Sequence, residues 1–382
     1  MSRKTVLLLV FFTLGLSFSG CWDYHELETV DFVLGLGLDE IDPDFDLVVE
    51  TIKVKGTPET EFTPVVFTNK GPSLSATRRA LTDQVGARLI WSHAQVMLFS
   101  EEVAQDNILA ALEFVVRDAD IRTSMLLFVT KDCTVEEVFK SKPPIADIVS
   151  DHLVNLVSLR EQIPNFYPRC SWQFRQALSL SGINPTLPTV KLVQEGTDKI
   201  PVIDGTALFK GTKMVGWIDG QESRLLAMIM GERDRGALVV KTNVGGRSGD
   251  ITYEVRSNRV KVSPKVDGPK LAFSIEVQLQ LDLSDLGALD IEYGDPKVRL
   301  ALEKEINNLL QGQILECVEK IQKEFKTDVL GLGLTLKQRH PSVWRLYEGK
   351  WDEVFPEVEV EVAVGSRIVS TGVLSRPGRM RE

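Results

Sequence analysis

One cysteine in this 382-residue chain has surroundings that would let it react. It closes the leading part of LLLVFFTLGLSFSGCWDYHELETV, residues 7 to 30. Arg3 and Lys4 precede an apolar run from Val6 to Leu16, and Ser17, Ser19 and Gly20 stand before Cys21. A basic start, a short apolar stretch and small residues at its end describe an export leader. The run is too short for a spanning helix, which needs about 20 apolar residues. Small residues ahead of a cysteine admit a lipoprotein peptidase, so the chemistry expected at Cys21 is thioether formation with diacylglycerol. Phe18 stands where lipoboxes usually carry Leu; Ser19-Gly20-Cys21 keeps the rest of the pattern. Two acyl chains, at about 0.8 kcal/mol per buried methylene, anchor stably where one does not. The expected workplace is a membrane surface outside the cytoplasm.

The other reactive residue types form no catalytic grouping. His25, His93, His152 and His340 are scattered, with no HExxH and no ligand spacing. DPDFD, with Asp42, Asp44 and Asp46, opens like a calcium loop, but Leu47 stands where Gly is needed and Lys53 where Glu is needed. A solvated hairpin turn is the better reading. RDADIR, with Arg117, Asp118, Asp120 and Arg122, has the charges to hold a small zwitterion, although a helix end tied by surface ion pairs is commoner. His93 lies in apolar company and reads as a structural, hydrogen-bonded histidine. Trp217, Trp344 and Trp351 suit core packing as well as ligand stacking. The expectation is a non-enzymatic chain with no catalytic residues, no metal site and no cofactor.

Charge and cysteine usage narrow the partners. Without residues 1–20 the chain keeps 42 Lys+Arg against 54 Asp+Glu, a net charge of −12. That balance argues against nucleic acid, whose phosphates ask for clustered positive charge. It also gains nothing from anionic lipid heads, so the lipid itself must anchor. Cys133, Cys170 and Cys317 are far apart and odd in number, which leaves three free thiols or one disulfide.

The elements that would position any site alternate between two periods. VDFVLGLGLDE and DFDLVVETIKVKG read as strands about an acidic turn, followed by a helix in SATRRALTDQVGARL capped by Ser73 or Ser75. AQVMLFS and RTSMLLFVTK are short strands around one amphipathic helix, EEVAQDNILAALEFVVRD; PPIADIVSDHLVNLVSLREQ and SWQFRQALSLSG are helices. The Pro-spaced INPTLPTVKLVQEGTDKIP reads as a boundary, by strand pairing or as a linker. GTALFKGTKMVGWI predicts a hairpin turning at Gly211, and Asp219 with Glu222 a capping box. LAFSIEVQLQLDL alternates without a break, and EVEVEVAV repeats the pattern near the end. Between them a helix is capped at Asp295, with Pro296 in its first turn, and its period runs to Val329 before Pro341 ends it. VLGLGL occurs at 33–38 and 329–334, the second copy reading as part of that helix; neither is a dinucleotide loop, since the third glycine is missing. The fold class expected is α+β, in three mixed α/β layers with sheets backed by helices and a long helix in the last domain. The borders expected are 1–20 for the leader, 21–195 for an N-terminal domain, 200–255 for a small middle domain and 256–376 for a C-terminal domain.

GCWDYHELETVDFVLGLGLD resembles the mature start of the Ger(x)C family of spore germination lipoproteins, which open with a cysteine, then Trp-Asp, then a strand carrying G(I/L)D. SHAQVMLFSEEVAQDNILAALEFVVRDADIRTSMLLFVTK, GTALFKGTKMVGWIDGQESRLLAMIMG and IQKEFKTDVLGLGLTLKQRHPSVWRLYEGKWDEVFPEVEVEVAV resemble further blocks, in family order. The resemblance implies the C subunit of a nutrient-germinant receptor, on the outer face of the spore's inner membrane. Its implied partners are a multi-span A subunit and a transporter-like B subunit. It also implies that Cys21 carries S-diacylglycerol and, after cleavage, an acylated amine. The competing expectation is an extracytoplasmic solute-binding lipoprotein that captures a nutrient itself, which would need a cleft with convergent polar groups.

Overall fold

In the computed structural model, the residues described are 3–5, 29–40, 44–55, 61–244, 247–268, 270–286 and 295–370. Two sheets organise them. The larger contains β1 (Val30–Glu40), β2 (Phe45–Lys55), β3 (Glu61–Gly71), β4 (Arg88–Ile90), β5 (Val96–Phe99), β6 (Leu126–Thr130), β7 (Thr186–Glu195), β8 (Asp198–Lys210) and β9 (Lys213–Ile218). Its order is β3-β2-β1-β5-β6-β7-β8-β9, antiparallel at both ends and parallel from β1 to β7. The parallel middle is where strands covered on both faces should lie. Accordingly, all four residues of β5 are buried. Helices α1 (Leu74–Val85), α2 (Glu101–Asp106), α3 (Leu109–Arg117), α4 (Val135–Phe139), α5 (Val149–Ser158) and α6 (Ser171–Ser179) supply the cover. Two apolar cores result, one around Leu36, Met97 and Phe99 and one around Val48, Leu98 and Phe128.

The smaller sheet runs β10 (Ala237–Val244), β11 (Arg247–Asp267), β12 (Lys270–Asp285) and β13 (Glu359–Ser370) in that order. Along β12, Phe273, Ile275, Val277, Leu279, Leu281 and Leu283 are buried while Glu276, Gln278 and Gln280 are exposed, as alternation requires. Strand β13 pairs parallel to β12, so a crossover must join them. Helix α8 (Pro296–Lys320) begins that crossover, capped by Asp295, and buries Leu302, Ile306, Leu310, Ile314 and Val318 over the sheet. Residues 200–255 divide between the sheets. Strands β8 and β9 complete the first, β10 and the start of β11 open the second, and α7 (Gly220–Ile229) packs into the second core. Leu208 and Ile218 from the first sheet share that core, which joins the two layers. The architecture is the mixed α/β arrangement of helix-backed sheets expected, with the long helix in its C-terminal part.

Two helix expectations need correction. The single helix over EEVAQDNILAALEFVVRD is α2 and α3, broken at Asn107, whose backbone is extended (φ −175°) and whose side chain accepts from Leu109 N at 2.9 Å. An asparagine able to satisfy a helix N-terminus is favoured as a cap and disfavoured mid-helix. The long helix, in turn, stops short of Val329. It loosens into one π-type turn over Ile321–Phe325, and Lys326 (φ 51°) ends it in the left-handed region. Tertiary hydrogen bonds draw the chain aside there. Gln322 donates to the carbonyls of Phe355 and Val358, and the Thr327 hydroxyl donates to Phe209 O at 2.6 Å. The second VLGLGL therefore straddles a break, and Gly331 (φ 68°) precedes a new helix, α9 (Leu332–Arg339). Left-handed backbone costs an L-residue about 1 kcal/mol, so Lys326→Gly is expected to stabilise by about 0.5–1 kcal/mol, read as a higher urea midpoint at unchanged slope.

Partly or fully buried carboxylates hold the starts of helices at three places. Asp39 on β1 accepts from Val135 N (2.6 Å) and Glu136 N (3.1 Å) at the start of α4. Glu50 on β2 accepts from Val149 N and Ser150 N, both at 2.8 Å, and from the Ser150 hydroxyl at the start of α5. Asp328 accepts from Leu332 N (3.1 Å), Gly333 N (2.8 Å) and Trp351 Nε1 (2.9 Å). Burial raises each of these carboxyls above its ordinary value, Asp328 to about 6, while the donors act to lower it.

Candidate functional site

Cys21, on which the sequence reading places its chemistry, lies outside the described residues, as do His25 and Asp42. The remaining candidates can be located. Asp46 pairs with Lys70 at 3.2 Å, and Leu47 is fully buried on β2, so DPDFD runs straight into a strand. His152 approaches Pro201 O through Nε2 at 3.1 Å, and burial lowers its pKa. His93 departs from expectation. It is exposed on the short 3-10 turn Trp91–His93 and meets Phe32 edge-on at 5.0 Å between ring centres. Trp344 and Trp351 are core residues packed edge-to-face, and Trp217 is half-buried with Lys131 over its ring at 5.6 Å. Cys133, Cys170 and Cys317 are free thiols. Burial pushes Cys133 up to about 11 and Cys317 to about 12, so neither is a ready nucleophile near neutral pH. Among the described residues no group of three His, Cys, Asp or Glu side chains could hold a metal ion.

Arg117, Asp118 and Asp120 of RDADIR are engaged in ion pairs. Arg117 pairs with Glu113 along α3 at 2.9 Å. Asp118 and Asp120 instead both hold Arg78 of α1: Nη1 pairs with Asp118, and Nη2 lies 3.2 Å from Asp120. The Arg78 guanidinium also sits over the Trp91 ring, 4.9 Å from its centre. A planar cation held by two carboxylates and an aromatic face is far more fixed than a solvated arginine.

This clamp stands in the wall of a cleft of about 730 Å³, a volume in the range of small-molecule sites. The topology explains the cleft. Strand β4 pairs with the start of β1 and β5 pairs with its middle, and the turn Trp91–His93 lies between them. Helix α1 forms the other wall, fixed by Ser73, which accepts from Ala76 N at 3.2 Å, and by Gly86 (φ 68°) at its end. From α1 come Arg78 and Arg79; from the β4 region come Arg88 and Trp91. Sequence reasoning saw Arg78 and Arg79 only as helix residues, because 42 positions separate Arg78 from Asp120 and no local pattern joins them.

Comparisons with known proteins cover both halves of the chain. Residues 23–192 match the family described as the spore germination protein N-terminal domain, and residues 204–372 match the spore germination B3/GerAC-like C-terminal family. Spore germination protein KC of Bacillus subtilis (strain 168) is 23% identical over 406 aligned positions, spanning 99% of this chain and 98% of that protein. Spore germination protein A3 of the same organism is 25% identical, over 94% of this chain and 95% of that one. The crystal structure of the GerBC protein aligns with a TM-score of 0.56 at 20% identity, over 91% of this chain and all of that one, which establishes a shared fold.

Proposed function

Because the chain belongs to the Ger(x)C family of spore germination proteins, we propose that it is the lipid-anchored C subunit of a nutrient-germinant receptor. In this reading it acts without catalysis, beside a multi-span A subunit and a transporter-like B subunit, on the outer face of the spore's inner membrane. The observation that carries it is the succession of both germination domains in one chain, over residues 23–192 and 204–372. Among the described residues no helix is long and apolar enough to cross a membrane, so the anchor in this reading is the lipid on Cys21.

Affinity purification of the tagged full chain from detergent-solubilised spore membranes tests this directly. Both integral subunits are expected in the eluate in amounts comparable to the bait. A bait recovered alone, under detergent that keeps other membrane complexes intact, would sink the assignment.

A further inference from the structure

Among the described residues up to the end of β9, the two most exposed large apolar side chains are Ile145 and Trp172, 97% and 48% exposed. They lie at opposite ends of the larger sheet. Trp172 is in the first turn of α6, and its backbone N donates to Thr123 O at 3.1 Å. Thr123 stands three residues ahead of Leu126, which is level with Val96 and so with Gly35 of β1. Trp172 therefore sits at the end where β1 begins at Val30, about two strand spacings or 10 Å to one side. Ile145 follows α4, where Lys142 N donates to Lys199 O at 3.1 Å beside the β7–β8 turn. That turn lies beyond the far end of β1, whose 11 residues span about 35 Å. Two cations accompany Trp172. Arg175 follows it by three residues on α6 and so shares its face, and Arg122 adjoins Thr123. Both arginines are exposed, and neither pairs with a carboxylate among the described residues.

We propose that the end of the larger sheet carrying Trp172, Arg122 and Arg175 is the face this chain lays against the lipid bilayer. The inference rests on the anchor at Cys21 in the proposed function. Exposure alone does not choose between the Trp172 and Ile145 ends; the tether does. The chain from Cys21 enters the sheet at Val30, so the Trp172 end is the one it brings to the bilayer. The residue types suit that surface. An indole settles at headgroup depth, apolar body inward and N–H toward water, and the guanidinium fork matches a lipid phosphate, which zwitterionic lipids also carry. With a net charge of −12 beyond residue 20, the body as a whole is not drawn to anionic lipid. The contact therefore orients a body that the tether already holds, and it fixes which flank is left for other subunits.

The test places the purified full chain on phosphatidylcholine vesicles whose acyl chains carry bromine near the headgroup, which quenches tryptophan only at short range. Flotation with the vesicles reports the anchor, and quenching among the floated chains reports the contact. The difference between the parent and Trp172→Phe isolates Trp172, because the other tryptophans, Trp22 beside the anchor included, cancel. That difference emission is expected to lose at least about half its intensity. The tryptophan added by Ile145→Trp, at the far end, is expected to stay unquenched. Arg122→Glu combined with Arg175→Glu is expected to reduce the quenching of Trp172 and to leave the thermal midpoint unchanged, since both side chains are exposed. Trp172 unquenched in floated chains, the result expected if this surface meets another protein instead, would overturn the inference and leave the anchor standing. So would quenching of the added tryptophan at 145 as strong as that of Trp172. A chain that fails to float would sink the anchor reading, and this inference with it.

Discussion

Replacing Asp328 with alanine is expected to cost about 3–5 kcal/mol of unfolding free energy, among the largest single-residue effects available in this fold. The carboxylate is fully buried and accepts from Leu332 N, Gly333 N and Trp351 Nε1. Truncation orphans three donors, each at about 1–3 kcal/mol where water cannot reach. Water has little room to enter. A Cβ added at Gly333 would come within 2.6 Å of Trp351 Nε1 and 2.7 Å of Gly182 Cα, so the surroundings are already in contact. The same knot ties the two sheets. Asn184 N donates to Asp328 O at 2.7 Å and Leu334 N to Gly182 O at 2.7 Å, linking the chain just before β7 to the turn before α9. Urea unfolding followed by tryptophan fluorescence would measure the loss. A change under about 1 kcal/mol would mean that these hydrogen bonds are replaced rather than lost.

Its pH dependence carries a definite sign. Burial raises the folded-state pKa of Asp328 to about 6, above the ordinary value of 3.8. Between those values the native state keeps a proton that the unfolded chain releases, so stability falls as pH rises from about 4 to about 6 and is flat beyond. At about 1.4 kcal/mol per pH unit, the change across that window is on the order of 3 kcal/mol. Asp39 and Glu50, also raised by burial, add to the slope with the same sign. The quantity to compare is therefore the difference between the parent and Asp328→Asn, which should shrink the slope between pH 4 and 6 while leaving the shared part.

What could be read ahead of the fold was what lies within a few residues. The alternation of LAFSIEVQLQLDL placed β12 and its buried face, and Asp219 with Glu222 formed the capping box their spacing predicts, at 2.8 and 2.9 Å. Gly211 (φ 62°) turns the β8–β9 hairpin for the same local reason. The misreadings had non-local causes. Periodicity carried the long helix to Val329, but Gln322 and Thr327 found partners at Phe355, Val358 and Phe209, which no helical period anticipates. The cleft was half legible. RDADIR announced charges, yet their partner was Arg78, a helix residue indistinguishable by pattern from its neighbours. Asp328 gave no sign at all, because a carboxylate inside an apolar run reads as exposed until its donors are known.

Cys21→Ala is expected to release the chain from the membrane, leaving about a tenth or less of it with the membrane fraction of broken spores, and to abolish or greatly delay nutrient-triggered germination. In the proposed reading the variant would lose both acyl chains, and with them the apolar transfer energy that would hold it, at about 0.8 kcal/mol per methylene. The acidic body has no compensating attraction for anionic lipid, which repels a chain carrying −12 beyond residue 20. The position of the proposed anchor along the chain bears on its effect as well. Eight residues separate Cys21 from Val30, where β1 begins in the middle of the larger sheet, and the nine steps between them, at about 3.5 Å each, span at most about 30 Å. In the proposed reading, a tether that short would confine the body to the membrane surface and raise its effective concentration toward membrane-embedded partners far above that of a free protein. Release with germination intact would mean that subunit contacts hold the chain without its lipid. Retention together with an unmodified Cys21 by mass spectrometry would mean that the lipid was never there.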